Sequence, residues 1–391
     1  MEFFRYPLKT HSYLIIPEND EQKKRKDFFR ADKFSLFIRY MVETGEGWIE
    51  RMYRASTNGY SNVFSRRRRP RVGRWLLFLL AFAALLCAGY TAYDNGRCEV
   101  KRQRVFVADL PDALEGFTVL HVSDLGGKTF GQKDAEITRA LRSAKWDAVV
   151  CTGNMLGADG DPAAFYDLIA AIGTGKPFYF LAGRSDPAPA DGTNARSALS
   201  EWVLGAQSRG AVYLDRPQKI EKGGESVWLT EPSLLTLDLE GALSAYAQAG
   251  TAGAAYRQGV ITDTSAARKS MEADCGLHLL VSAEPYTDEA MRKLLASADG
   301  DFVRTVDLIF AGGTAGGQWR LPGGRGVWAQ GTWFPKGTLA GYGYAAGILQ
   351  YVSGGLGCDA ASPLPGFRLF NTPEMTLVTF TSQIDLDTLP R

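Results

Sequence analysis

Apolar residues run unbroken from Trp75 to Tyr93, WLLFLLAFAALLCAGYTAY, and then return only in short bursts between polar stretches. The long run has no period and no charge over 19 residues. At a rise of about 1.5 Å per residue it nearly covers a bilayer core of about 30 Å, so it predicts a transmembrane helix. Beyond Cys98 the bursts are Phe117–Val122, Ala148–Cys151, Phe178–Ala182, His278–Ser282 and Asp307–Ala311. They are rich in Val, Leu, Ile and Phe, and each runs directly into a loop holding Gly, Asp, Asn or Pro, as buried strands do. Asp134–Ser143 and Pro162–Ile172 read as helices between them, the second opened by Asp161 as cap and Pro162 in the first turn. Gly241–Arg268, rich in Ala and Gly, predicts one helix and a mobile loop. The succession is β-α-β, which places functional loops at the carboxyl ends of the strands.

Charge orients this plan. Six arginines lie between Arg66 and Arg74, directly ahead of the apolar run. The positive-inside rule puts that end in the cytoplasm and everything after Tyr93 outside, a bias that Arg97, Lys101, Arg102 and Arg104 weaken without reversing. A cleaved signal peptide would need a small-x-small site after the run, and none follows. Lipidation at Cys87 would need a small residue before it, where Leu86 stands. An uncleaved anchor is the reading kept, with the arginines as a topology determinant rather than a twin-arginine export signal. Residues 1–70 carry a basic run, Gln22–Lys26, and Phe34, Phe37, Ile38 and Met41 at helical spacing. They predict an amphipathic helix on the inner membrane surface, or else a helix packed on a partner or a poorly ordered tail. The expected organisation is a cytoplasmic segment 1–70, a transmembrane helix 75–93 and a globular α/β domain 99–391.

With 45% apolar and 22% charged residues the chain can bury a core. Lys plus Arg number 44 against 43 Asp plus Glu, a net charge of +1 that argues against nucleic acid as a partner. The three histidines, His11, His121 and His278, are too few and too scattered for an imidazole-rich metal centre. His121 and His278 sit in or at strands and read as core residues. The five cysteines form no C-x-x-C and read as buried thiols.

Five strand-end loops follow in order: Ser123-Asp124-Leu125-Gly126-Gly127, Thr152-Gly153-Asn154-Met155, Ala182-Gly183-Arg184-Ser185-Asp186, Ser282-Ala283-Glu284-Pro285, and Ala311 through Gln318. With Leu114-Glu115-Gly116 before the first strand, Leu321-Pro322-Gly323 after the last loop, and the closing stretches Tyr351–Gly357 and Arg368–Glu374, they resemble the membrane-anchored branch of the calcineurin-like metallophosphoesterases. There the loops read S-D-x-H, T-G-D, G-N-H-D, L-S-H-x-P and G-H-T-H-G-G-Q. The resemblance covers roughly residues 100–380. It implies a four-layer α/β/β/α sandwich and, for an active member, two divalent metal ions that position a bridging hydroxide on a phosphoester.

The chain departs from that pattern where the metals would bind. Asp124 and Asp186 are kept, whereas Gly126, Asn154, Arg184, Ser185, Ala283, Gly313 and Ala315 stand where the family has ligands or a proton donor. Asn154 has no charge to bridge two cations, and Gly or Ala offers no side-chain donor. Asp124 and Asp186 alone are residual candidates for one weakly held hard cation. Arg184 is expected to neutralise these two aspartates with a forked contact. It could instead join Lys128 and Gln318 in an anion pocket. Trp319, Trp328, Trp333 and Phe334 read as core, or as an aromatic rim for a lipid or sugar. No cofactor is expected. Two functions follow, of which the site residues favour the first, a pseudoenzyme, and the fold alone the second. One is a non-catalytic binding or regulatory module at the cell envelope, with an anionic ligand or a protein partner. The other is a metal-dependent hydrolase of a phospholipid or envelope phosphoester with an atypical site.

Overall fold

Two six-stranded sheets face each other across an apolar layer. The computed structural model describes residues 72–383 apart from 191–197, 236–237, 248–249, 275, 297–302 and 322. The segment 1–70, with its basic run and its helical spacing from Phe34 to Met41, lies outside the described residues, as do His11 and Cys275.

In the first sheet the order is β1 (Glu99–Phe106), β14 (Glu374–Thr381), β2 (Thr118–Val122), β3 (Ala148–Cys151), β4 (Phe178–Phe180) and β5 (Val212–Tyr213). Strands β2 to β5 are parallel; β14 runs antiparallel to β2 and parallel to β1. The second sheet is ordered β12 (Gly341–Ala345), β13 (Ile348–Val352), β9 (Leu308–Ala311), β8 (Leu277–Ser282), β7 (Glu225–Thr230) and β6 (Gln218–Lys222). Its inner four strands are parallel and its two edges antiparallel. A hairpin of β10 (Trp328–Ala329) and β11 (Thr332–Trp333) stands apart.

The period of two along each strand sorts side chains into layers. Val119, Val150 and Tyr179 of the first sheet meet Leu279, Val281 and Phe310 of the second. Their neighbours Leu120, Val149 and Phe180 turn to the other face, against helices α2 (Ala135–Leu141), α3 (Ala163–Ile172) and α4 (Glu201–Gln207). Helix α5 (Gly250–Glu272) occupies most of the Ala/Gly-rich stretch. Leu280 and Ile309 of the second sheet pack outward on Met291 of α6 (Asp288–Leu295). The result is the helix–sheet–sheet–helix sandwich. Strands covered on both faces explain the continuous apolar bursts in place of an alternating pattern. The Asp161 carboxylate accepts the Ala163 N–H at 3.0 Å at the start of α3, with Pro162 beside it, close to the predicted cap.

Helix α1 spans Val72–Gly96, and its segment Trp75–Gly96 has a mean hydropathy of 2.0 with none of its apolar window buried. It is long and apolar enough to cross a membrane, as an anchor or a signal sequence. Its last turn is fixed to the domain. Asp94 accepts from the Thr372 hydroxyl at 2.9 and 3.0 Å, and Tyr90 stacks on Phe370 with ring centroids 6.4 Å apart.

Candidate functional site

The five loops leave β2, β3, β4, β8 and β9 at their carboxyl ends and converge. Backbone bonds from Asp124 N–H to Gly153 C=O (3.0 Å) and from Gly126 N–H to Asn154 C=O (2.9 Å) carry the β2–β3 ladder on into the loops. Asp124, Asn154, Ala315 and Gln318 all have left-handed backbone, with φ of 51°, 57°, 45° and 47°. Asp and Asn tolerate that region; Ala and Gln there store about 1–2 kcal/mol each. The turns are therefore held by the surrounding structure rather than by local preference.

Asp124 is the hub, with no solvent exposure. Its Oδ1 accepts from Asn154 Nδ2 at 2.9 Å. Its Oδ2 accepts from the Ser123 hydroxyl at 2.9 Å and from the Gly313 and Ala315 N–H groups at 3.2 Å each. Burial raises its pKa; the bonds from Asn154, Ser123 and Ala315, and the charge of Arg368, pull the other way. The first, second and fifth loops are thus tied to one carboxylate.

Asn154 adds the third loop. Its Oδ1 accepts the Ser185 N–H at 2.9 Å while its Nδ2 holds Asp124. Asp186 is engaged with backbone, accepting from Leu156 N–H and Gly183 N–H at 2.8 Å each, and its pKa is raised by burial. Ser185 donates to Asp359 at 2.9 Å. Arg184 does not make the expected forked contact to Asp124 and Asp186. It pairs with Glu284 of the fourth loop at 2.5 Å, and about half of its side chain is exposed. The aspartates need no guanidinium from this loop, because hydrogen-bond donors already surround them.

The remaining positions are closed by backbone. A Cβ added at Gly126 (φ 59°) would lie 2.3 Å from the Cys358 carbonyl oxygen, and one at Gly313 (φ 79°) would lie 2.6 Å from that of Ala283. The segment 353–358 crosses the first loop, where Leu356 N–H donates to Ser123 C=O at 3.0 Å and Gly357 N–H to Asp124 C=O at 2.6 Å. A pair of divalent ions would need free lone pairs on several carboxylates and imidazoles. Here the oxygens of both aspartates are already taken by protein donors, and Gly126, Ala283, Gly313 and Ala315 supply none. Among the described residues no group of three or more His, Cys, Asp or Glu side chains stands together to hold a metal. The residues present do not fit the two-metal centre that the sequence resemblance implies.

Of the three residues considered for an anion pocket, two have protein partners of their own. Gln318 is buried and donates to the Pro365 carbonyl at 2.9 Å. The Lys128 ammonium is buried without a hydrogen-bond partner, 4.5 Å from the Phe130 ring centroid, and burial lowers its pKa to about 8. Arg184 has Glu284. His121 sits between the sheets, its Nε2 3.1 Å from the Thr152 hydroxyl and its ring edge-on to Phe310; burial lowers its pKa to about 3. It is a neutral core residue.

Arg368 is the residue that sequence reasoning left without a role. Its side chain is fully buried, and its guanidinium donates to the carbonyls of Gly354 and Gly357 at 2.6 Å each and of Asn371 at 2.9 Å. Burial lowers its pKa to about 10, so it remains charged at neutral pH. It supports from beneath the segment that covers Asp124. The available signal was one arginine inside the apolar stretch Pro363–Phe370.

No protein-family model matches the chain. No curated protein matches it either. Among solved structures, a 5'-nucleotidase precursor from Thermus thermophilus is similar over 67% of this chain at 13% identity, with a TM-score of 0.32. The match covers 54% of that structure, so this chain spans about half its length. A likeness at this level bears on neither substrate nor mechanism.

Proposed function

We propose that this chain is a membrane-anchored protein of the calcineurin-like metallophosphoesterase family that has lost most of its metal ligands. In this reading it serves as a non-catalytic binding or regulatory module at the cell envelope. The family reading is supported by the order of the five loops in the sequence and by their convergence at one end of two facing sheets. The arginine run ahead of α1 favours a cytoplasmic N-terminus and an extracytoplasmic domain.

One observation carries the non-catalytic reading: Asp124 is fully buried and accepts four hydrogen bonds from the protein itself. A metal would have to displace those donors and leave them unpaired, at about 1–3 kcal/mol for each buried group. The surface around the cleft, where Arg184 is exposed and Glu284 half-buried, then remains for an anionic envelope ligand or a protein partner.

The test is to purify the full chain in detergent from cells grown with added manganese, iron and zinc. Bound metal and the hydrolysis of phosphomonoesters and phosphodiesters are then measured on the same sample. Metal well below one ion per chain, with no turnover, supports the proposal. About two ions per chain with metal-dependent hydrolysis would establish a phosphoesterase instead.

A further inference from the structure

The end of α1 carries a neighbour at its own level. Tyr90 lies within the apolar segment Trp75–Gly96, six residues before its end, or about 9 Å along the axis. Phe370 of the domain stacks on it and is 53% exposed. Phe370 therefore stands beside the apolar helix, not beyond it. Exposed apolar residues follow at Phe367 (37% exposed) and Leu321 (45% exposed), in the two strips that the Trp319–Leu369 bridge joins. Trp319 stacks on Phe367 with centroids 5.2 Å apart, and its indole N–H donates to the Phe367 carbonyl at 2.9 Å. Arg320 N–H donates to Leu369 C=O at 2.8 Å, which joins the two strips into one surface.

This surface is braced from behind by hydrogen bonds. Between the outward Phe367 and Phe370, Arg368 turns inward to its three carbonyls, and Asn95 of α1 holds the Arg368 backbone. Arg97, just past the helix, lies over the Tyr93 ring at 5.7 Å. Aromatic rings with a cation at the end of an apolar span are what the headgroup region favours.

We infer that the domain is seated on the bilayer, with Phe370, Phe367 and Leu321 inserted at the boundary between headgroups and acyl chains on the side where α1 emerges. The inference rests on reading α1 as an anchor. Its occupant is the lipid of that same membrane, because the surface is continuous with the helix that crosses it. Insertion of three such side chains removes apolar area from water, and the helix already tethers the domain beside the membrane.

The test places the photoreactive amino acid p-benzoylphenylalanine at one position at a time in the full chain. Each chain is reconstituted in vesicles of phosphatidylethanolamine and phosphatidylglycerol with radiolabelled acyl chains. Leu79 in mid-helix reports the anchor, and Phe370 reports the seat. Tyr344, 70% exposed and paired with Leu349 at the strand end away from the loops, serves as the distant control. After illumination, lipid label at Phe370 comparable to that at Leu79, with Tyr344 at background, is the expected result. Label at Leu79 with Phe370 at the Tyr344 level overturns the seat and leaves the anchor standing. Adducts from Phe370 that join two protein chains instead of lipid also overturn it. Absence of label at Leu79 removes the anchor reading, and the seat with it.

Discussion

The side chain of Asn95 pairs with the backbone of Arg368 as one strand pairs with another. Its amide nitrogen donates to the Arg368 carbonyl at 2.7 Å and its amide oxygen accepts the Arg368 N–H at 2.8 Å, across 273 residues of sequence. Asn95→Ala leaves both backbone groups without that partner. The expected loss is about 1–3 kcal/mol of stability, read as a lower melting temperature of the detergent-purified full chain. Asn95→Asp keeps the acceptor but sets a carboxylate oxygen against the Arg368 and Thr91 carbonyls, so it should melt no higher than Asn95→Ala. Equal melting of all three proteins would show that the pairing contributes nothing.

Restoring a histidine to the first loop should fail. Gly126→His places a Cβ against the Cys358 carbonyl at a left-handed φ, so the segment 353–358 must shift or the turn must open. A destabilisation of about 2–4 kcal/mol is expected from overpacking and backbone strain together, with no gain in bound metal. Metal analysis and thermal melting of the variant check both halves. A stable variant that takes up metal would mean that the crossing segment gives way easily.

Arg184→Ala should change stability by no more than about 1 kcal/mol, because the Arg184–Glu284 pair lies at the surface, with Arg184 about half exposed and Glu284 about one third. Compensation of Asp124 and Asp186 would instead make this a severe change. Melting curves of Arg184→Ala and Glu284→Ala decide between the two, and matching small shifts are the expected outcome.

Asp307 accepts the His278 N–H at 2.8 Å, and burial raises its pKa to about 6. The folded chain thus holds this proton more tightly than the unfolded one. The resulting stability is fully present below about pH 4, the ordinary aspartate range, and is lost as the pH rises through 6. Two units correspond to at most about 3 kcal/mol. Asp307→Asn keeps an acceptor for His278 and cannot titrate. Its melting temperature should therefore depend less steeply on pH between 4 and 7 than that of the wild type. Parallel profiles would assign the pH dependence to other buried carboxylates.

What the sequence reveals depends on how local the cause is. The bursts at Ala148–Cys151 and Phe178–Ala182 give the strands to within two residues, because burial on both faces writes itself as an unbroken apolar run. The loops are legible for a similar reason: their glycines mark left-handed turns that few other residues adopt. The partner of Arg184 is not legible, since Glu284 lies 100 residues away and nothing local distinguishes it from Asp124 or Asp186. The cover over Asp124 is legible only in part. Its partners are distant backbone groups, but its glycines Gly354, Gly355 and Gly357 mark the close approach: a Cβ at Gly355 would lie 2.8 Å from that of Asp124. Arg368 adds a charge where its neighbours are apolar.

The clasp between Asn95 and Arg368 also makes the apolar helix part of the cleft's mounting. From Asn95 the contacts pass to the Arg368 backbone, through its guanidinium to the Gly354 and Gly357 carbonyls, and from Gly357 to Asp124. No link in that series is a flexible surface side chain. Turning α1 about its axis by one residue would tear Asn95 from Arg368, or else drag the cover over Asp124 along with it. In an anchored chain, the end of the helix is thus only three hydrogen-bonded steps from Asp124 at the centre of the domain.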